Sequence, residues 1–171
     1  DTVVLGSAQG IIFGRLGNLI NGELPGRVTD VPWAMIFPDG GPLPRHPSQL
    51  YQAFCEGLGV LLILYVIQWY EQRKGNAPVG KKYVNSGEKK KGKKELIEWK
   101  RTGVLSTWFL ILYGIGRFVV EFFREPDSQL GYYFGWMTMG QILCSLMIIA
   151  GFILLTIVIR KPLPVSYEAP K

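Results

Sequence analysis

The residues 14–26 read Gly14-Arg15-Leu16-Gly17-Asn18-Leu19-Ile20-Asn21-Gly22-Glu23-Leu24-Pro25-Gly26. An arginine, two asparagines and a glutamate thus close an otherwise apolar, glycine-rich run. A guanidinium in such a run costs about 3 kcal/mol on membrane-insertion scales, so its presence points to a function that needs a permanent cation. A second polar group, Tyr113, Arg117, Glu121 and Arg124, falls at helical steps and shares one face of a helix. His46, the only histidine, stands before Pro47 at the start of another apolar run. Planar guanidinium donors suit an oxyanion such as phosphate, and the free N–H groups at a helix start favour the same ligand. Plainer accounts stand beside this one. Arg15 can snorkel from a packing helix, Arg117 and Glu121 can simply neutralise each other, and a lone histidine at a helix start can be a cap.

These residues need apolar elements to hold them. Hydrophobic runs predict membrane spans over 2–24, 48–70, 103–123 and 134–159. The first is stopped by Pro25 and Gly26, and Pro47 suits the first position of the second. Gly6, Gly10, Gly14, Asn18 and Gly22 recur every four residues and form one stripe, open to close approach by a backbone or a ligand. Glu56 is the polar outlier of the second run and is expected to face a partner or a water-filled cavity. The proline-rich stretch 26–47 reads as an ordered loop covering a site, with a short strand or interfacial piece over 31–37. Trp33 and Phe37 are expected in the aromatic belt of the membrane surface, and Trp69 and Tyr70 at the far interface.

Composition agrees with a membrane protein. The chain has 171 residues, 48% of them hydrophobic, and a formal net charge of +6. The basic residues gather in one block, 71–102, which reads as a solvated, partly disordered loop on the cytoplasmic side. No platform of interleaved aromatic and basic residues argues for nucleic acid. Cys55 and Cys144 lie in apolar runs without Cys-x-x-Cys spacing and read as core or lipid-facing thiols. The fold class that follows is all-α: a single polytopic membrane domain over 1–171, with about four transmembrane helices, an outer-facing loop and a basic cytoplasmic loop. With the lysines inside, Arg160 and Lys161 are inside too, and the loop 25–47 and the turn 124–131 face out. Arg15, Asn18, His46, Arg117, Glu121 and Arg124 then approach the outer half of the membrane from three segments. The chain opens part-way into an apparent membrane helix, without methionine or a signal peptide, and is expected to be the C-terminal portion of a larger fold.

The stretch 14–26 closely resembles the motif Gly-Arg-x-Gly-Asn-Phe-x-Asn-x-Glu-x-x-Gly of the bacterial prolipoprotein diacylglyceryl transferases, with Leu19 in place of the phenylalanine. The run His46-Pro47-Ser48-Gln49-Leu50-Tyr51 and the segment 113–124 are similar to the same family. The resemblance implies transfer of a diacylglyceryl group from phosphatidylglycerol to the lipobox cysteine of a prolipoprotein signal peptide, with release of glycerol phosphate. It implies membrane lipids as surroundings and no cofactor, metal or nucleic acid. It makes Arg15, Arg117 and His46 the catalytic candidates. Asn18, Asn21, Glu23, Gly26, Tyr113, Glu121 and Arg124 become substrate-binding candidates, with Gly22 and Gly26 leaving room for lipid. A thiol of reference pKa about 8.5 also needs a base or a positive field. The family's leading base, a histidine in a His-Gly-Gly loop upstream of the arginine motif, has no counterpart in this chain, and His46 is at most an assistant. A membrane carrier or channel for an anionic solute, or a non-catalytic fragment of the transferase, are the competing readings.

Overall fold

The computed structural model describes residues 1–71, 73, 80–84, 95–100, 103–125, 137–160 and 163–166. Within them the membrane body is all-α. Helix α1 spans Thr2–Ile20, and its apolar residues are uninterrupted by proline. The second span, Ser48–Glu71, is continuous but changes winding. It begins as α2, Ser48–Gln52, widens into a π-helical stretch over Ala53–Leu58, and resumes as α3, Gly59–Glu71. Helices α4, Val104–Val120, and α5, Met139–Arg160, complete the body. Val3–Ile20, Ser48–Glu71 and Met139–Arg160 are long and apolar enough to cross a membrane, and Val104–Val120 is a shorter apolar helix. Along α5, Leu143, Leu146, Phe152 and Ile157 are at least half exposed. Apolar side chains exposed in that number along one helix suit lipid contact.

Helix α1 ends four residues before the position expected from Pro25. The N–H of Asn21 closes the helix on the Gly17 carbonyl at 2.9 Å, and Gly22 then turns into the left-handed region at φ 73°. A glycine takes that conformation without a Cβ clash, so it ends the helix ahead of the proline. Helix α4 likewise stops at Val120 rather than at residue 123, and Glu121 to Phe123 form a turn.

The segment 71–102, expected as a plain loop, contains paired strands. Strand β1, Gly80–Val84, runs antiparallel to β2, Glu95–Lys100, with Lys82 opposite Ile97. Strand β2 also pairs antiparallel with β3, Leu163–Ser166, with Glu98 opposite Val165. Tyr83, Val84, Ile97 and Trp99 are residue types that favour strands, a local signal that the lysine count obscures. Lys89 to Lys94, residues 126–136 with Trp136, and Lys161 lie outside the described residues.

The body is apolar at one end and polar at the other. At the apolar end Val60, Leu64 and Leu105 form a buried cluster, with Leu5, Ile67 and Trp108 against it. There the Asp1 carboxylate accepts from the backbone N–H groups of Gly103 (2.9 Å) and Ser106 (3.1 Å), capping α4 from another helix. At the polar end Ser48, Gln49, Gln52, Glu56, Glu121 and Gln141 are buried.

Close helix crossings bring the polar end together. A Cβ on Gly57 would lie 2.5 Å from Ile12, and one on Gly116 would lie 2.9 Å from the Cys55 carbonyl oxygen. Helix α1 therefore meets the second span along its Ala8–Ile12–Arg15 side, where Ala8 is buried. The glycine stripe is on another side, and Gly6, Gly10 and Gly14 have nothing within 4 Å of a built Cβ. The stripe expected from the four-residue spacing is thus not the packing face within this chain. Cys144 is buried, and Cys55 is exposed on the membrane body.

Candidate active site

Arg15 and Arg117 are brought to one carboxylate. Arg15 Nη2 lies 3.6 Å from Glu56 Oε2, and Arg117 Nη1 lies 3.5 Å from Glu56 Oε1. Arg117 Nη2 also pairs with Glu121 Oε2 at 3.3 Å, one helical turn along. The Glu56 side chain is 0% exposed and sits in the π-helical stretch, on the face that also buries Gln49, Gln52, Val60 and Leu64. Its Oε2 has no hydrogen bond within the described residues. Two guanidinium groups and two carboxylates balance in charge. Their separations exceed the usual 2.7–2.9 Å or so of a charge-assisted hydrogen bond, so donors remain open to another anion.

Glu121 is held from a third element. Gly140 makes room for it, because a Cβ there would lie 2.8 Å from Glu121 Oε1. The Thr138 hydroxyl donates to the same oxygen at 3.3 Å. Thr138 and Gln141 form a reciprocal cap at the start of α5. The Thr138 N–H donates to Gln141 Oε1 at 3.1 Å, and the Gln141 N–H donates to Thr138 Oγ1 at 3.3 Å. A carboxylate at such a helix start is stabilised by the unpaired N–H groups.

The turn after Arg15 is strained and pinned. Leu24 has φ 56°, the left-handed region, which costs a non-glycine residue on the order of 1 kcal/mol or more. The Ser48 hydroxyl donates to the Leu24 carbonyl at 2.9 Å, and the Gln49 amide donates to the Glu23 carbonyl. Asn18 accepts the Glu23 N–H at its carbonyl (2.9 Å), so the motif folds back on itself. Asn18 is half-buried, and Asn21 and Glu23 are exposed at the rim.

Gly26 does not leave room for lipid. A Cβ there would lie 2.6 Å from the Phe123 carbonyl and 2.7 Å from that of His46, so the chain itself fills the space. Its backbone pairs with Arg124, whose carbonyl accepts from Arg27 Nε at 2.8 Å. Gly22 is also close to protein, with Pro38 3.2 Å from a built Cβ. Arg124 is thereby placed beside the loop. Tyr113 lies one turn before Arg117 on α4, half-buried, with its ring stacked on Phe109.

His46 belongs to an aromatic hydrogen-bond chain. Trp33 Nε1 donates to the Tyr51 hydroxyl at 2.7 Å, and that hydroxyl lies 3.1 Å from His46 Nδ1. Indole is a donor only, so the phenol oxygen accepts there, and the direction of its bond with His46 Nδ1 follows the imidazole tautomer. Phe123 packs edge-on against both His46 and Tyr51. Trp33 is 60% exposed, as a residue of the interfacial belt would be. Phe37 is 3% exposed and packs inside the loop rather than in that belt.

Arg45 is a loop clamp that composition does not flag. It donates from Nε to the Gly40 carbonyl (2.9 Å) and from Nη1 to the Gly26 carbonyl (3.2 Å), and it pairs with Glu125. Glu56 was visible as a polar outlier, but its place between two arginines was not, because those arginines come from two other helices whose packing is not given by spacing. Ser48, Gln49 and Gln52, buried on the same span, had only their helical spacing to Glu56 as a signal. The Thr138-x-x-Gln141 pattern is a capping box readable from sequence.

A family model described as prolipoprotein diacylglyceryl transferase matches residues 1–85 and 89–157. The chain is similar to a protein of Brucella anthropi named phosphatidylglycerol–prolipoprotein diacylglyceryl transferase, at 45% identity over 88% of this chain and 45% of that relative. A protein of the same name from Shewanella sp. (strain ANA-3) is 49% identical over 85% of this chain and 44% of the relative. One from Pseudomonas aeruginosa (strain LESB58) is 47% identical over 89% of this chain and 47% of the relative. The chain spans about half the length of the curated relatives it matches. Its sequence, its helical membrane body and the matched residues place it in one group: the chain belongs to the prolipoprotein diacylglyceryl transferase family.

Proposed function

We propose that the protein carrying this chain transfers the diacylglyceryl group of phosphatidylglycerol to the lipobox cysteine of bacterial prolipoproteins. The cysteine sulfur attacks the diacylglyceryl carbon that bears the phosphate. A carbon–sulfur bond forms, the carbon–oxygen bond breaks, and glycerol phosphate leaves with the electron pair. The thiol proton passes to a base. The observation that carries this reading is the pairing of Arg15 and Arg117 with one buried carboxylate, Glu56. Guanidinium groups so placed can hold the phosphodiester and stabilise charge on the leaving phosphate.

The remaining residues take supporting roles. Asn18 and Asn21 hydrogen-bond head-group oxygens, Tyr113 donates to the head group, and Glu121 orients Arg117. Glu23 and Arg124 stand at the rim where the lipid enters. His46 holds the loop through the contact of its Nδ1 with the Tyr51 hydroxyl.

The chain forms one integral membrane domain over 1–171 in the bacterial cytoplasmic membrane. The loop 25–47 and the residues after Val120 face outward, and the lysine-rich segment 71–102 and the C-terminus face the cytoplasm. The excess of lysine and arginine in that segment supports this orientation. Pairing of Gly26 with Arg124 brings the loop and the turn after α4 together at one end of the body, which supports a shared side for the two segments.

The test is direct. Membranes containing phosphatidylglycerol and a full-length protein with this chain are incubated with a lipobox peptide. A gain of one diacylglyceryl mass on the cysteine, without nucleotide or metal, supports the transferase. Anion uptake without that mass would support a carrier instead.

A further inference from the structure

Glu56 is the one residue among the described residues whose side chain forms ion pairs with both Arg15 and Arg117. It is wholly buried, comes from the π-helical stretch, and has one oxygen without a hydrogen bond. We propose that Glu56 is a positioning residue that balances the two arginines, so that they bind a singly charged phosphodiester yet release the more highly charged phosphate product. This inference rests on the transferase reading of the same site.

With Glu56 and Glu121 present, the four groups sum to zero before lipid enters. A phosphodiester brings one negative charge, whereas a phosphate monoester carries about −1.5 to −2 at neutral pH. Two arginines without Glu56 would hold the monoester more tightly than the diester, because attraction grows with the product of the charges. A buried carboxylate competes with both ligands for the same N–H donors, and it reclaims the arginines when the product leaves. The separations of 3.5 and 3.6 Å fit a group that lends its partners rather than locking them.

The test compares the full-length protein with its Glu56→Gln variant, which keeps shape and amide hydrogen bonding but removes the charge. Binding of glycerol phosphate to detergent-solubilised protein is titrated by thermal shift, which needs no turnover. The expected result is binding at least about fivefold tighter in the variant, with KM for phosphatidylglycerol lowered and kcat reduced about tenfold by slow product release. Glycerol phosphate binding that is unchanged or weaker in folded Glu56→Gln protein overturns the proposal. A purely structural role would lower the yield of folded protein without tightening product binding. If Glu56→Gln does not accumulate, Glu56→Asp carries the test. Its shorter side chain lengthens both ion pairs, so product binding should tighten about twofold, and unchanged or weaker binding overturns the proposal. Failure of the unmodified protein to lipidate a lipobox peptide overturns the transferase reading, whereas the binding comparison bears on Glu56 either way.

Discussion

The Ser48 hydroxyl donates to the Leu24 carbonyl at 2.9 Å, joining the arginine motif to the start of the second span. Leu24 is in the left-handed region, and its conformation persists because Ser48 and Gln49 both hold the turn. Replacing Ser48 by alanine removes one donor and leaves a carbonyl unpaired. It should cost about 1–2 kcal/mol of stability, read as a lower unfolding midpoint in detergent. An unshifted midpoint would mean that the turn holds without it.

His46 gives a prediction of a different kind. With Nδ1 engaged by Tyr51, His46→Ala should lower kcat/KM about fivefold by loosening the loop, while leaving the shape of the pH–rate profile unchanged. Tyr51→Phe should behave in the same way. Loss of one limb of the profile in His46→Ala would return the imidazole to the proton-transfer step.

The crossing of the second span with α4 depends on Gly116. A methyl group there meets the Cys55 carbonyl at 2.9 Å, and Glu56 is the next residue. Gly116→Ala should cost about 1–3 kcal/mol, since overpacking forces the helices apart. It should also slow transfer by drawing Glu56 away from Arg117. Chemical denaturation and the lipobox assay read the two effects separately.

Membrane orientation is open to cysteine labelling. Asp30 is exposed in the loop between α1 and the second span, and Lys82 is in the lysine-rich segment. Asp30→Cys should react with a membrane-impermeant thiol reagent in cells whose outer membrane has been opened. Lys82→Cys should react only after the inner membrane is also breached. The opposite pattern would invert the topology.

How much was legible depends on which physics each residue obeys. The four spans follow from hydrophobic runs, and Arg15, Arg117 and Glu121 follow from the cost of charge in such runs. Their convergence on Glu56 was not readable, because spacing along each helix does not say how α1, the second span and α4 pack against one another. The glycine stripe shows the same limit of spacing. Spacing identifies a face of α1, but only tertiary packing decides that Ala8 and Ile12 meet the second span. Phe37 was placed by residue type in the aromatic belt, and burial inside its own loop outweighed that preference. The strands Gly80–Val84 and Glu95–Lys100 were hidden by the charge of their surroundings, although their apolar residues suit strands.

The proposed role of Arg15 and Arg117 is that of planar forks on phosphate. It is tested most directly by the rate of diacylglyceryl transfer in Arg15→Lys and Arg117→Lys proteins present at unmodified levels in phosphatidylglycerol membranes. Lysine keeps the charge but loses the paired donors, and each variant is predicted to transfer about a hundredfold more slowly. Transfer at the unmodified rate in either variant would contradict the phosphate-holding role of that arginine.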